Sequence, residues 1–130
     1  MDLELFNQSL HLAAKLVDRG DYEDASVVLR PWLDAPLSGA HKGIVCVNLA
    51  VVSDLQGRVE VALGWYERGR GYERPEGRVF VAEQKAAYLA AKGRERESLA
   101  LYESLLRESI LTAEERERIA HNVAALRAGA

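Results

Sequence analysis

The sequence predicts an all-α fold, an α-solenoid of three helix pairs followed by a C-terminal capping helix. Two markers recur along the chain at nearly equal steps. The block His11–Ala14 has counterparts that begin at positions 48, 84 and 122, and a glycine lies nine residues after the start of each of the first three blocks. Between the markers, apolar residues recur at spacings of three, four and seven, as on one face of a helix. Such a period indicates one supersecondary unit copied in series.

The first repeat is predicted to contain helices over 2–19 and 21–33. Leu5, Leu12 and Leu16 share one face of the first helix, and Gly20 is expected to end it in a left-handed cap. Pro31 should end or kink the second helix because proline removes a backbone donor. A loop is expected over 34–39.

The second repeat is predicted to contain helices over 40–56 and 58–69. The first of these is apolar on several sides, which is typical of a central, covered helix. Gly57 should close it. The tract 69–77 contains three glycines and a proline, a composition that predicts a loop.

The third pair is expected over 78–92 and 94–109, around Gly93. Thr112 can cap a seventh helix, with Glu115 three residues later to complete a capping box. The 130 residues therefore indicate one domain over 1–130, with repeats at about 2–36, 38–74 and 76–110 and a capping helix at 113–128.

These residues resemble the tetratricopeptide repeat family. Small residues stand where that family's two helices cross closely, at Ala13, Ala50, Ala86 and Ala124. The segment 20–25 (Gly-Asp-Tyr-Glu-Asp-Ala) is similar to the family's turn between helices. Lys85 departs from the pattern because leucine is usual there, and the period exceeds the family's roughly 34 residues.

The resemblance implies a concave groove lined by the first helix of each pair. An apolar floor would carry one row of amide or imidazole groups, suited to the backbone of an extended peptide or a short helix. The alternative is that such side chains cap local backbone or face water. The groove residues are expected to be Leu10, His11, Val17, Ile44, Val47, Asn48, Val51, Phe80, Gln84 and Asn122.

Composition and motifs argue against several other functions. The formal charge of −3 comes from interspersed acidic and basic residues, which favours neither nucleic acid nor a membrane surface. The chain lacks a signal-peptide pattern and any long apolar run, so we expect a cytoplasmic protein. No catalytic triad, ligand-spaced His/Cys set or phosphate loop is found, so no enzyme activity, metal or cofactor is expected. The single cysteine, Cys46, is expected to be a buried small hydrophobe.

The sequence thus predicts a protein-interaction module, an adaptor or chaperone-like protein. Within the family it resembles the three-repeat chaperones of bacterial type III secretion translocators. The alternative is an accessory subunit that assembles an enzyme complex through its convex face, with Trp32, Trp65 and Tyr72 as anchors.

A homodimer is a further expectation. Apolar residues surround the first turns of the N-terminal helix, and no preceding segment is expected to cover them. A self-complementary patch of this kind suits a two-fold dimer. The patch is formed by Leu3, Leu5, Phe6 and Leu10.

Overall fold

A computed structural model describes residues 3–129, in which seven α-helices and two short 3-10 helices occur without any strand. Asp2, where the first helix was expected to begin, lies outside the described residues. The α-helices are α1 Leu3–Asp18, α2 Tyr22–Leu29, α3 Gly39–Leu55, α4 Val59–Glu73, α5 Phe80–Ala91, α6 Glu95–Leu106 and α7 Ala113–Gly129, and the 3-10 helices are Arg30–Asp34 and Arg74–Glu76.

One glycine ends the first helix of each pair, as predicted. Gly20, Gly57 and Gly93 have φ of +80°, +77° and +77°, a left-handed conformation that costs glycine little. At the first of them, Gly20 N donates to Val17 O at 2.9 Å and Asp21 N donates to Leu16 O at 2.8 Å. This Schellman pattern closes each helix and returns the chain beside it, which pairs α1 with α2, α3 with α4 and α5 with α6.

Two further end signals are confirmed. The α-helical part of α2 stops at Leu29, and Pro31 lies in the 3-10 helix that follows. At α7, Glu115 N donates to Thr112 Oγ1 at 3.1 Å while Thr112 N donates to Glu115 Oε1 at 2.8 Å. This reciprocal pair is the predicted capping box.

The predicted loop over 69–77 is wrong, because α4 continues through Gly69 and Gly71 to Glu73. Gly69 is buried between helices, and a Cβ built there would lie 2.9 Å from Cys46 Cβ and 3.0 Å from Val81 Cγ1. Glycine at this position therefore permits close helix packing and does not mark a turn. The turn comes only at Gly77, with φ of +67°.

Two glycines of α3 extend the same close approach. A Cβ at Gly39 would lie 2.0 Å from the carbonyl oxygen of Tyr72, and one at Gly43 would lie 2.9 Å from Val81 Cγ2. Such distances are far below normal van der Waals contact, so α3 can approach Tyr72 of α4 and Val81 of α5 this closely only with glycine at these two positions. Among the described residues, α3 and α4 are also the most extensively packed pair of elements.

Glu73, the last residue of α4, and Glu76, in the 3-10 helix that follows, cap two different helices. Glu73 is buried and accepts hydrogen bonds from Val81 N at 2.8 Å and Ala82 N at 3.1 Å, at the start of α5. Glu76 accepts from Ala40 N at 3.0 Å and from Gly39 N, at the start of α3. Both carboxylates satisfy amides that have no partner inside their own helix. Burial raises the pKa of Glu73, against the opposing effect of its two amide donors.

Ion pairs join the second and third repeats. Asp54 lies 2.7 Å from Lys92 Nζ and accepts a hydrogen bond from Tyr88 at 2.8 Å. Lys85, which stands where the family has leucine, pairs with Glu67 of α4. The hydrogen bond from Lys92 is the main reason that the pKa of Asp54 is lowered.

The core has three apolar clusters in chain order. The first lies between α1, α2 and α3, the second joins α3 and α4 to α5, and the third lies between α5, α6 and α7. Cys46 is fully buried in the first, and burial raises the pKa of its thiol to about 11, so it is a core residue. The clusters include Phe6, Leu29, Val45, Cys46 and Leu49; Ala50, Ala62, Tyr66 and Val81; and Ala86, Tyr102, Leu105, Ile119 and Val123.

Candidate protein-binding surface

The predicted groove residues all lie on α1, α3, α5 and α7, whose solvent-facing side we call the odd-helix face. Each of the ten is exposed or partly exposed, so each leaves some surface for a partner. Val51 and Phe80 are apolar yet 44% and 46% exposed. Exposure of large apolar side chains is what a partner-binding surface requires.

One cavity, of about 180 Å³, opens between α1 and α3. It brings together the predicted residues Val17, Asn48 and Val51 over an apolar floor that includes Leu29. Asp18 is the only charged side chain that lines it. A cavity of this size and polarity fits one apolar side chain with a polar contact at its edge.

A second cavity, of about 250 Å³, opens between α5 and α7. It brings together the predicted residues Phe80, Gln84 and Asn122. Arg118 closes one side, where its Nε and Nη2 each donate to a Glu83 carboxylate oxygen at 2.8 Å. Sequence reasoning missed this pair, although its members lie 35 residues apart, close to one repeat period.

The polar row is only partly engaged within the chain. Asn48 Nδ2 donates to Ile44 O at 2.9 Å, which is the local capping that the alternative interpretation of the row expects. Because an amide has two N–H groups and a carbonyl, this bond uses one of its donors. Asn122 forms a hydrogen bond with Tyr102. Burial raises the pKa of the Tyr102 hydroxyl, and the hydrogen bond with Asn122 opposes this effect.

Four predicted residues line neither cavity. Leu10 packs partly against the first core cluster, and Val47 packs partly against the second. Ile44 is partly buried, and His11 is exposed on α1. The structure therefore groups six of the ten residues into two cavities and leaves these four beside them.

The N-terminal patch is smaller than the sequence indicates. Leu3 and Leu5 are 43% and 54% exposed, but Phe6 is buried. The Phe6 ring lies edge-on to Trp32 at 5.3 Å and to His41 at 5.4 Å between centroids. The expectation that Phe6 contributes to a dimer surface is wrong because Trp32, in the 3-10 helix after α2, and His41, in the first turn of α3, cover it.

The alternative interpretation expects three anchors on the convex face, and their contacts in the structure differ. These anchors are Trp32, Trp65 and Tyr72. Trp32 packs on Phe6 and the first core cluster. Tyr72 packs against the same cluster and accepts hydrogen bonds from Arg68. Trp65 lines a cavity open to solvent.

Among residues 3–129, no three His, Cys, Asp or Glu side chains are placed as ligands of one metal ion. Over the same described range, no helix combines the length and the hydropathy needed to cross a membrane.

The fold resembles that of a solved structure. It is similar to the type III secretion translocator chaperone SycD of Yersinia enterocolitica, with a TM-score of 0.60 over 99% of this chain and 88% of that chain. Sequence identity is 20%, so the likeness concerns the fold, which is the predicted all-α helical repeat. No protein-family model matches the sequence, and no curated protein matches it either.

Proposed function

We propose that this chain is a chaperone-like protein-binding module that holds a segment of another protein on its odd-helix face. The observation that carries the proposal is the pair of cavities between α1 and α3 and between α5 and α7, each lined by three of the predicted groove residues. Exposed Val51 and Phe80 supply apolar contact, and Asn48, Gln84 and Asn122 supply amides for a partner's backbone.

The structural neighbour supports this function by analogy, since that protein is a translocator chaperone. In this proposal the chain is one tetratricopeptide-like domain with the repeat boundaries given above. It acts by binding, without catalysis and without a cofactor, and its partner is another protein in the cytoplasm. The partner segment is an extended peptide or a short helix.

Site-directed photo-crosslinking tests the proposal. A benzophenone amino acid replaces Val51 or Phe80 on the odd-helix face, or Ile110 between α6 and α7 as a control with comparable exposure (49%). The crosslinked partner is then identified by mass spectrometry in cells of the source organism. Crosslinks from both Val51 and Phe80 to one segment of one protein are expected. Crosslinks that form only from Ile110 would show that partners bind elsewhere.

A further inference from the structure

A third cavity lies on α4 beside Arg30, the first residue of the 3-10 helix that follows α2. We call the solvent-facing side of α2 and α4 the even-helix face. The cavity is shallow, has a volume of about 350 Å³, and shares no lining residue with the two odd-face cavities. The residues that line it are Arg30, Val61, Gly64, Trp65 and Arg68. Any ligand bound here would therefore leave the odd-helix face open.

The floor of this cavity is apolar and exposed. Val61 is 50% exposed, and Trp65 is half-buried against the core. Val27, on the helical turn before Arg30, is 61% exposed and extends the apolar surface along α2. Apolar side chains of this size that share one surface are a common feature of protein interfaces.

Gly64 leaves the helix backbone open at the centre of the cavity. A glycine inside a helix costs about 1 kcal/mol relative to alanine. At Gly69 the close contact with Cys46 explains the glycine, but a Cβ at Gly64 would meet no atom within 4 Å. Packing inside this chain therefore gives no reason for it. Glycine is also the residue that lets a ligand approach a backbone closely.

Two arginines flank the opening and bear unneutralised charge. Among residues 3–129, neither Arg30 nor Arg68 forms an ion pair with a carboxylate. The Arg68 guanidinium lies 5.4 Å from the centroid of the Trp65 ring and donates to the Tyr72 hydroxyl at 3.2 and 3.3 Å. These contacts hold it beside the cavity.

We propose that this cavity docks a segment of a second protein that carries one large apolar side chain flanked by acidic side chains. The apolar side chain lies over Gly64 against Val61 and Trp65, and the carboxylates pair with Arg30 and Arg68. Charge complementarity selects this partner, because a guanidinium prefers a carboxylate and the apolar floor excludes a purely acidic tail. The chain would then join two different proteins at once.

Peptide selection tests the docking site. A phage-displayed library of random dodecapeptides is selected on the full chain and counter-selected on Gly64→Leu, which fills the cavity. Gly71→Leu is the matched control, since Gly71 is an exposed glycine of the same helix with equally open space and lies outside the cavity. Circular dichroism checks that both variants remain folded.

We expect enriched peptides that contain an apolar residue flanked by aspartate or glutamate. Gly64→Leu, Arg30→Glu and Arg68→Glu should each weaken their binding about tenfold or more, as the loss of a buried contact or a charge-assisted pair implies. Gly71→Leu should leave binding unchanged.

Three outcomes would overturn the proposal. One is the absence of any peptide whose binding depends on Gly64. Another is a set of selected peptides whose binding depends on Gly64 but which contain no acidic residues. The third is a fall in the molecular mass of the free chain on Gly64→Leu, which would show that a second copy of the chain occupies the cavity. None of these outcomes bears on the odd-helix face, so the two proposals fail separately.

Discussion

Glu73 Oε1 accepts a 2.8 Å hydrogen bond from Val81 N, so a buried carboxylate at the end of one helix caps the start of the next. Glu73→Ala should leave the amides of Val81 and Ala82 without an acceptor inside the protein. We expect the free energy of unfolding to fall by about 2 kcal/mol or more. Urea denaturation followed by circular dichroism measures this loss.

Glu76→Ala is the matched control for that experiment. Glu76 also accepts two amides but is exposed, so water can replace it and the loss should stay near 1 kcal/mol or below. Equal losses for the two variants would mean that burial of the Glu73 carboxylate contributes nothing.

Replacing the glycines of α4 with alanine should raise the stability of the chain at two positions and lower it at the third. Gly64→Ala and Gly71→Ala add a Cβ in open space and should each stabilise the chain by about 1 kcal/mol. Gly69→Ala forces a Cβ against Cys46 and Val81 and should destabilise it by about 1–3 kcal/mol. Thermal and urea unfolding of the three variants would decide. A stabilised Gly69→Ala would contradict the close packing described above.

Acid should weaken the junction between the second and third repeats. The pKa of Asp54 is lowered in the folded chain, chiefly by its hydrogen bond with Lys92. A carboxyl with a lowered pKa stabilises the fold above its unfolded pKa of about 3.9, and this contribution is lost as pH falls through the folded pKa. The stability difference between wild type and Asp54→Asn should therefore be largest above about pH 4 and shrink below it. A difference that stays constant to low pH would rule out the ionic contribution.

Self-association should depend on Leu3 and Leu5. These exposed leucines are expected to form a two-fold contact, so replacing both with serine should shift the chain toward monomer. Light scattering across a concentration series measures the mass. The double change Val27→Ser and Val61→Ser, at comparably exposed sites on other helices, should have no effect. A monomeric wild-type chain at high micromolar concentration would exclude the dimer.

Partner binding on the odd-helix face should be mainly apolar. Asn48→Ala should weaken it by about 1 kcal/mol or more, because the amide pairs with backbone in a desolvated site. Added salt should change the affinity little, since exposed Val51 and Phe80 supply most of the contact. Isothermal titration with the crosslinked partner segment measures both. A steep salt dependence together with unchanged Asn48→Ala binding would refute this binding mode.

The periodic features of this fold are visible in its sequence, and the features that depend on distant packing are not. Gly20, Gly57 and Gly93 recur with the helical period, so their role as helix ends can be predicted. From the sequence alone, Gly69 cannot be told from a glycine in a turn. Only the Cys46 side chain, which lies beside it in the fold, shows that Gly69 permits close packing. Lys85 occupies a position where leucine is expected, and the sequence gives no reason for it. The reason is the ion pair with Glu67, which comes from another helix.

The candidate surface follows the same division. Family resemblance predicts ten groove residues, and the structure has them on the exposed or partly exposed sides of α1, α3, α5 and α7, because position in the repeat determines which side of a helix faces solvent. It does not separate the six that line cavities from the four beside them. The burial of Phe6 cannot be read from the first helix alone, because the residues that cover it, Trp32 and His41, lie 26 and 35 positions later in the chain.

The two glutamate caps also limit how this array can be lengthened or shortened. A cut after position 74, between the second and third repeats, would remove the carboxylate of Glu76 from α3 and leave that of Glu73 without the α5 amides. The second helix pair is therefore not a free-standing cassette. Gene duplication or protein engineering that copies this unit would have to carry residues 39–82 together, so the transferable module of this solenoid is larger than its sequence period.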